Sequence, residues 1–351
     1  MPSLCLVATP LAATRAARRL CDAQGGILFG PAVSTIERIV PGIVAAAGDR
    51  RAILTPLAER LLAAEAGAVA GGALAGLAPE SGLAAALARS LAELRRGEVS
   101  GADARAAAEE LGGAPAERLR ALAAALDAYE AALADRGALD RAGAARGAAA
   151  PARRGAAPAG AGGLELLLLD GIPTLAPAEW DLVSALAARA RRTRVHLPYW
   201  PERPDASAPA EPLLRRLEGL HEVAARRDVE VVLPHVEEDG RLGRLAAALL
   251  GMGSATAARR VGPSDVGGAV LAAAGAGEEG EPGAAAAVIA RLVEDGYAPE
   301  DIAVVSPAPR RHAAPLARAL RDLGIPFAAG RGEPLAAVPV VRLVQDALGV
   351  A

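Results

Sequence analysis

Leu164-Glu165-Leu166-Leu167-Leu168-Leu169-Asp170-Gly171 decides the fold class of this chain. A short apolar run that ends in a carboxylate and a turn residue predicts a buried strand of a parallel sheet. Such a strand delivers Asp170 to the carboxyl edge of the sheet. The stretch that follows, residues 177–190, puts Trp180, Val183, Leu186 and Ala187 on one helical face. Asp170 is expected to cap the turn before that helix.

Working outward, the same alternation recurs. Residues 4–8 are apolar, Thr9-Pro10 breaks the run, and residues 11–20 read as a helix with Arg15, Arg18 and Arg19 on one face. Gly25-Gly26 precede a second apolar run, Ile27-Leu28-Phe29. Ser34-Thr35 then lead into a helical stretch, residues 36–40. This is strand–helix–strand–helix, the opening of an α/β layer. Downstream, residues 194–198 read as a strand ended by Pro198. A proline-rich loop (198–212), a helix (213–225), a strand (229–233), a helix (242–250) and a loop (251–268) complete the layer.

Between the two halves of that layer the period changes. Leu57-Leu61-Leu62, Leu83-Leu87-Leu91-Leu94 and Leu119-Leu122-Leu126-Tyr129-Leu133 repeat at helical spacing, which predicts an all-helical insertion of four to six helices over residues 51–142. Residues 143–163 are rich in Ala, Gly, Pro and Arg without periodicity, the pattern of a flexible linker. A second α/β lobe is expected over residues 269–351, with strands at 269–274, 302–305 and 327–328 and helices at 283–295, 313–323 and 340–348. Such a lobe needs more strands than this, so it is expected to be truncated. The first lobe comprises residues 1–50 and 164–268.

Composition sets limits. The 351 residues suffice for two or three domains. The chain is 52% hydrophobic, much of it alanine, with a mean hydropathy of +0.27. All 38 basic residues are arginine, and asparagine is absent. Net charge is −3 and the isoelectric point about 5.9. A dedicated electrostatic nucleic-acid binder is usually basic, so DNA binding would have to come from a local groove or a partner. Cys5 and Cys21 match no metal-cluster spacing, and His196, His221, His235 and His312 form no ligand pair, so no metal site is expected. With no signal peptide and no apolar stretch long enough to span a bilayer, the cytoplasm is the expected compartment and a membrane is not an expected partner.

Taken together, these segments resemble the AddB-type subunit of the ATP-dependent helicase–nuclease that processes double-strand DNA breaks. That subunit is a relative of UvrD-type helicases and of the inactivated RecC-type proteins. The segment "EPGAAAAVIARLVEDGYAPEDIAVVSPAPRRHAAPLARALRDLGIPFAAGRGEPLAAVPVVRLVQDAL" is similar to the start of the second motor lobe. Within it Glu281 opens a helix that ends before Gly296, and residues 301–305 resemble the motif IV strand. Gly324-Ile325-Pro326, Gly332, Pro334-Leu335 and Pro339 keep the family spacing. "LELLLLDGIPTLAPAEWDLVSALA" is similar to the family's Walker B strand and helix, and "VSTIERIV" to its "TF…L" element.

The resemblance implies two RecA-like lobes, the first carrying the helical insertion and the second incomplete. It also implies what is missing. Active relatives carry Asp-Glu where this chain has Asp170-Gly171, so the water-orienting carboxylate is lost. "LVATPLAATRAARRL" occupies the phosphate-loop position with Thr9 as its only turn hydroxyl, and a chain without lysine cannot supply the phosphate-loop lysine. The ATP-sensing arginine of motif IV falls at Ala308. No catalytic residue is assigned, and Thr9 and Asp170 are vestigial nucleotide-site residues.

The family's Mg²⁺, ATP and iron–sulfur cluster have no residues here to hold them, and its PD-(D/E)XK nuclease domain is not within the chain. The expected role is a noncatalytic, helicase-like DNA-binding scaffold in double-strand break repair and recombination, without enzymatic activity of its own. Its partners would be single- or double-stranded DNA and an AddA-type helicase–nuclease subunit. Thr35, Arg15, Arg310 and Arg311 are the DNA-contact candidates, with Thr35 as a helix N-cap and the arginines as solvated faces in the plainer alternative. Two rival classes remain: a two-lobed α/β enzyme binding a small molecule or sugar nucleotide, and a structural remnant.

Overall fold

The computed structural model describes residues 3–23, 32–74, 82–156, 163–200, 207–223, 228–233, 270–306, 308–328 and 338–347. They fall into two units, residues 3–233 and residues 270–347. The expected strand at 27–29, the helix at 242–250, the loop at 251–268 and Gly332, Pro334 and Leu335 lie outside the described residues.

The first unit opens with β1 (Ser3–Val7), α1 (Pro10–Ala23), β2 (Ala32–Ser34), α2 (Ile36–Ala46) and the two-residue β3 (Ala52–Ile53). Four helices follow: α3 (Pro56–Ala70), α4 (Gly82–Arg96), α5 (Gly101–Glu110) and α6 (Gly113–Asp135). The chain returns through β4 (Ala138–Leu139) and α7 (Arg141–Arg154) to β5 (Leu166–Asp170). Then come α8 (Pro177–Ala187), β6 (Arg192–His196), α9 (Glu211–Val223) and β7 (Asp228–Val232).

Five strands form one parallel sheet in the order β2-β1-β5-β6-β7. The chain steps from β1 outward to β2, then crosses back over β1 to β5 and continues outward. The direction of winding therefore reverses between β1 and β5, the kind of switch point where α/β sheets bind ligands at their carboxyl edge.

Alternation assigns the two faces of the sheet. Leu4, Leu6, Leu167, Leu169 and Val195 point to one side, where they join buried residues of α2, α7, α8 and α9 in the main core. Cys5 and Val7 point to the other side, packed with Ala13 of α1. Among the described helices, α1 alone contributes buried residues to that second face.

The helical insertion builds its own core from Leu62, Leu87, Leu91, Leu126, Tyr129 and Leu133. Its helix starts are locally specified. Thr55 accepts the Ala58 N–H at 3.3 Å ahead of α3, and Ser100 and Asp103 form a reciprocal capping box ahead of α5. β3 and β4 pair in parallel where the chain enters and leaves the insertion. This pairing gives the insertion a defined base.

The linker expected at 143–163 is corrected by α7, which runs to Arg154. Ala144, Ala145, Ala148, Ala149 and Ala152 form a buried stripe of helical period, and α7 packs against α2 and α8. Small side chains let the helix axes approach closely, but they give no contrast between core and surface residues. Pro41 likewise lies inside α2 rather than ending it, because Ile39, Val40, Ile43 and Val44 are buried on both sides of it.

The second unit is helical in its described part: α10 (Gly277–Glu294), α11 (Pro309–Asp322) and α12 (Pro339–Ala347). Ala286 and Ile289 of α10 pack with Leu320 of α11 and with Ile325. The strands expected at 269–274, 302–305 and 327–328 are not assigned among the described residues. Ile302 packs against the helical core, but other apolar side chains of these runs are exposed, Leu271 at 67% and Val305 at 92%. A short apolar run becomes a strand only with a partner to receive its backbone hydrogen bonds.

Candidate functional site at the carboxyl edge of the sheet

β1 reaches α1 through two residues, Ala8 and Thr9. The Thr9 hydroxyl accepts the Ala12 N–H at 3.1 Å and its carbonyl accepts the Ala13 N–H at 3.0 Å. Thr9 is thus the N-cap of α1, and its oxygen satisfies one of the helix's free donors. A phosphate cradle of the glycine-rich kind needs a longer loop whose N–H groups turn toward the ligand.

Strand register sets the next residues side by side. Val7, Asp170, His196 and Val232 form one row across the carboxyl ends of β1, β5, β6 and β7. Asp170 Oδ1 lies 3.1 Å from His196 Nδ1, with both side chains nearly half exposed. The partner of Asp170 is therefore the neighbouring strand, not the turn before α8. The start of α8 is served by Glu179, whose carboxylate accepts the Ala176 N–H at 2.9 Å.

Gly171 has φ +66° and donates its N–H to the His196 carbonyl at 3.0 Å. A side chain at that left-handed φ carries a penalty of roughly 1–2 kcal/mol. The backbone at position 171 itself thus favours glycine.

Beneath this row lies Cys5. Burial first, and the Asp170 charge second, push its thiol from 9.0 up to about 11. The folded form keeps the proton up to about pH 11, whereas the unfolded chain loses it from about pH 9. This contribution to stability is intact below pH 9 and declines as pH rises to 11, by up to about 3 kcal/mol. Urea melts across that range should show the loss in the wild type and a flatter profile in Cys5→Ala.

The DNA-contact candidates fall on α2 and α1 of the first unit and α11 of the second. Thr35 sits at the N-cap position of α2 and is 6% exposed. Its carbonyl accepts the Arg38 and Ile39 N–H groups, while its hydroxyl makes no capping bond. Arg15, Arg18 and Arg19 are exposed on α1. Arg310 and Arg311 belong to the second unit, in the first turn of α11, because Pro309 starts that helix earlier than the expected residue 313. Ala308 precedes α11 and supplies a backbone carbonyl to Arg311 and His312.

Sequence reasoning missed His196 as the neighbour of Asp170. The available signal was that two successive strands each end in a polar residue after an apolar one, Leu169-Asp170 and Val195-His196. Among the described residues no group of three His, Cys, Asp or Glu side chains could hold a metal ion, and no helix is long and apolar enough to cross a membrane. No protein-family model matches the chain, and no curated protein is significantly similar to it.

Proposed function

We propose that this chain is a noncatalytic, helicase-like DNA-handling module of the AddB type, working in double-strand break repair beside an AddA-type subunit that hydrolyses ATP. In this reading the parallel sheet of the first unit belongs to a RecA-like lobe, and the residues from 269 begin a second. The observation that carries it is the state of the switch point. Groups that would grip a triphosphate are engaged in the protein's own structure: the Thr9 hydroxyl in the α1 cap and Asp170 with His196. Gly171 stands in place of a catalytic carboxylate, and the chain contains no lysine. A motor scaffold with such an edge has its remaining surface free to guide nucleic acid.

The test pairs two measurements on the purified chain. ATP hydrolysis is expected to stay at background with or without single-stranded DNA, and binding to a fluorescent oligonucleotide is expected to weaken steeply as salt rises. DNA-stimulated hydrolysis would overturn the noncatalytic reading, and absence of oligonucleotide binding would overturn the DNA reading.

The Asp170–His196 pair favours one alternative, a small-molecule enzyme with an oriented imidazole at the switch point. That alternative predicts a thermal shift with nucleotide sugars and none with DNA.

A further inference from the structure

The exposed face of α1 carries three cations in sequence. At 100° per residue Arg15, Arg18 and Arg19 fall within about a third of the helix circumference, opposite the buried Ala13. Along the axis Arg18 lies roughly 4.5 Å beyond Arg15 and Arg19 roughly 1.5 Å further, so the three Cα positions span roughly 6 Å at 1.5 Å per residue. Across the rest of the first unit, arginines are repeatedly tied to carboxylates: Arg51 to Asp49, Arg105 to Asp127, Arg136 to Glu65, Arg194 to Glu230. The three on α1 have no such partner among the described residues, although Asp22 stands one turn beyond Arg18 on the same face.

We infer that this face of α1 is a rail for the backbone of an extended single strand of nucleic acid, engaging up to three successive phosphates. The inference rests on the DNA-handling reading and assigns it to one helix. Guanidinium groups are suited to phosphate because they donate in a planar fork and remain charged at all relevant pH. Fanned over about 100° of the helix surface, the three guanidiniums diverge and suit the spread charge of a polyanion, where a single phosphate would need one convergent site. No aromatic residue lies on α1, so the rail reads backbone and not base. Asp22 marks its end, since a carboxylate there repels the next phosphate.

Each phosphate neutralised on a single strand contributes about −0.7 to the slope of log K against log salt. Three contacts give about −2, equivalent to a roughly twentyfold fall in affinity from 50 to 200 mM salt. The experiment is fluorescence anisotropy with an oligothymidine probe over that salt range. It compares the wild type, the triple variant Arg15→Gln/Arg18→Gln/Arg19→Gln, and Asp22→Gln. All four positions are exposed, and a circular-dichroism melt verifies that each variant remains folded.

The expected result is a slope shallower by about 2 units in the triple variant and tighter binding with Asp22→Gln. Oligothymidine binding with the wild-type slope kept in the triple variant would overturn the rail and leave the DNA reading standing. No binding by the wild type would overturn both. Sedimentation with phosphatidylserine vesicles separates the other polyanion: arginine-dependent binding to vesicles and not to the oligonucleotide would overturn the nucleic-acid assignment.

Discussion

Asp140→Leu is expected to lower the unfolding free energy of the first unit by about 3–5 kcal/mol in urea titrations. Arg95 of α4 reaches Asp140 through two parallel hydrogen bonds, Nε to Oδ2 at 2.6 Å and Nη2 to Oδ1 at 3.1 Å. The guanidinium is 9% exposed and the carboxylate 4%. Burial alone would lower the arginine's pKa, but the bonds to Asp140, with the Asp140 and Glu130 charges, outweigh it and hold it above the ordinary value. Removing the carboxylate therefore leaves a buried cation with only the half-exposed Glu130 as a partner.

Asp140 has a second duty, since Oδ1 also accepts the Gly143 N–H at 2.7 Å and caps α7, a bond worth about 1 kcal/mol. The pair thus fastens the insertion to a helix that packs on the sheet. Other ties across the same junction, Arg96–Glu179 and Arg141–Glu59, each have an arginine about half exposed and contribute less. Asp140→Asn keeps a capping oxygen and should cost less than Asp140→Leu. The double variant Arg95→Met/Asp140→Leu removes both charges and should recover most of the loss. If Asp140→Leu melts within about 1 kcal/mol of the wild type, the buried pair is not what holds the junction.

That junction also shows where sequence stops informing. Asp140 and Arg95 are 45 positions apart, and nothing in the local pattern of either says that they meet. The insertion helices were legible because leucines at helical spacing mark one face. α7 was not, because a stripe of alanines is chemically the same as the alanines around it. Its register is fixed instead by tertiary contacts with α2 and α8.

The carboxyl edge was half legible. Asp170 could be placed at the end of a strand from its own neighbours. His196 came beside it only through the register that pairs Leu169 with Val195 and Asp170 with His196. In the second unit the apolar runs 302–305 and 327–328 have strand composition, yet composition does not supply a pairing partner. Within that unit, the amphipathic helices α10 and α11 bury their faces on each other.

The leucine run itself yields the second large effect. Read as composition, its leucines are equivalent, and a continuous apolar run suggests a strand buried on both faces. The burial is instead alternate: Leu167 is fully buried and Leu169 1% exposed, while Leu166 and Leu168 are only partly covered. Leu167 and Leu169 face the core built by α2, α7, α8 and α9, with β1 and β6 on either side holding the strand in place. Truncating either removes a side chain from a site that cannot collapse, so Leu167→Ala and Leu169→Ala should each cost about 3–5 kcal/mol. Leu166→Ala and Leu168→Ala should cost about 1 kcal/mol each, since less area is withdrawn from contact. Leu168 contributes only to the small cluster of Cys5, Val7 and Ala13 under α1. Four single variants compared by urea titration therefore read out the side-chain alternation directly. A shift of one residue in register would exchange the two pairs. Equal losses at all four positions would mean that the second face is as deeply buried as the first, and the face assigned to α1 would have to be redrawn.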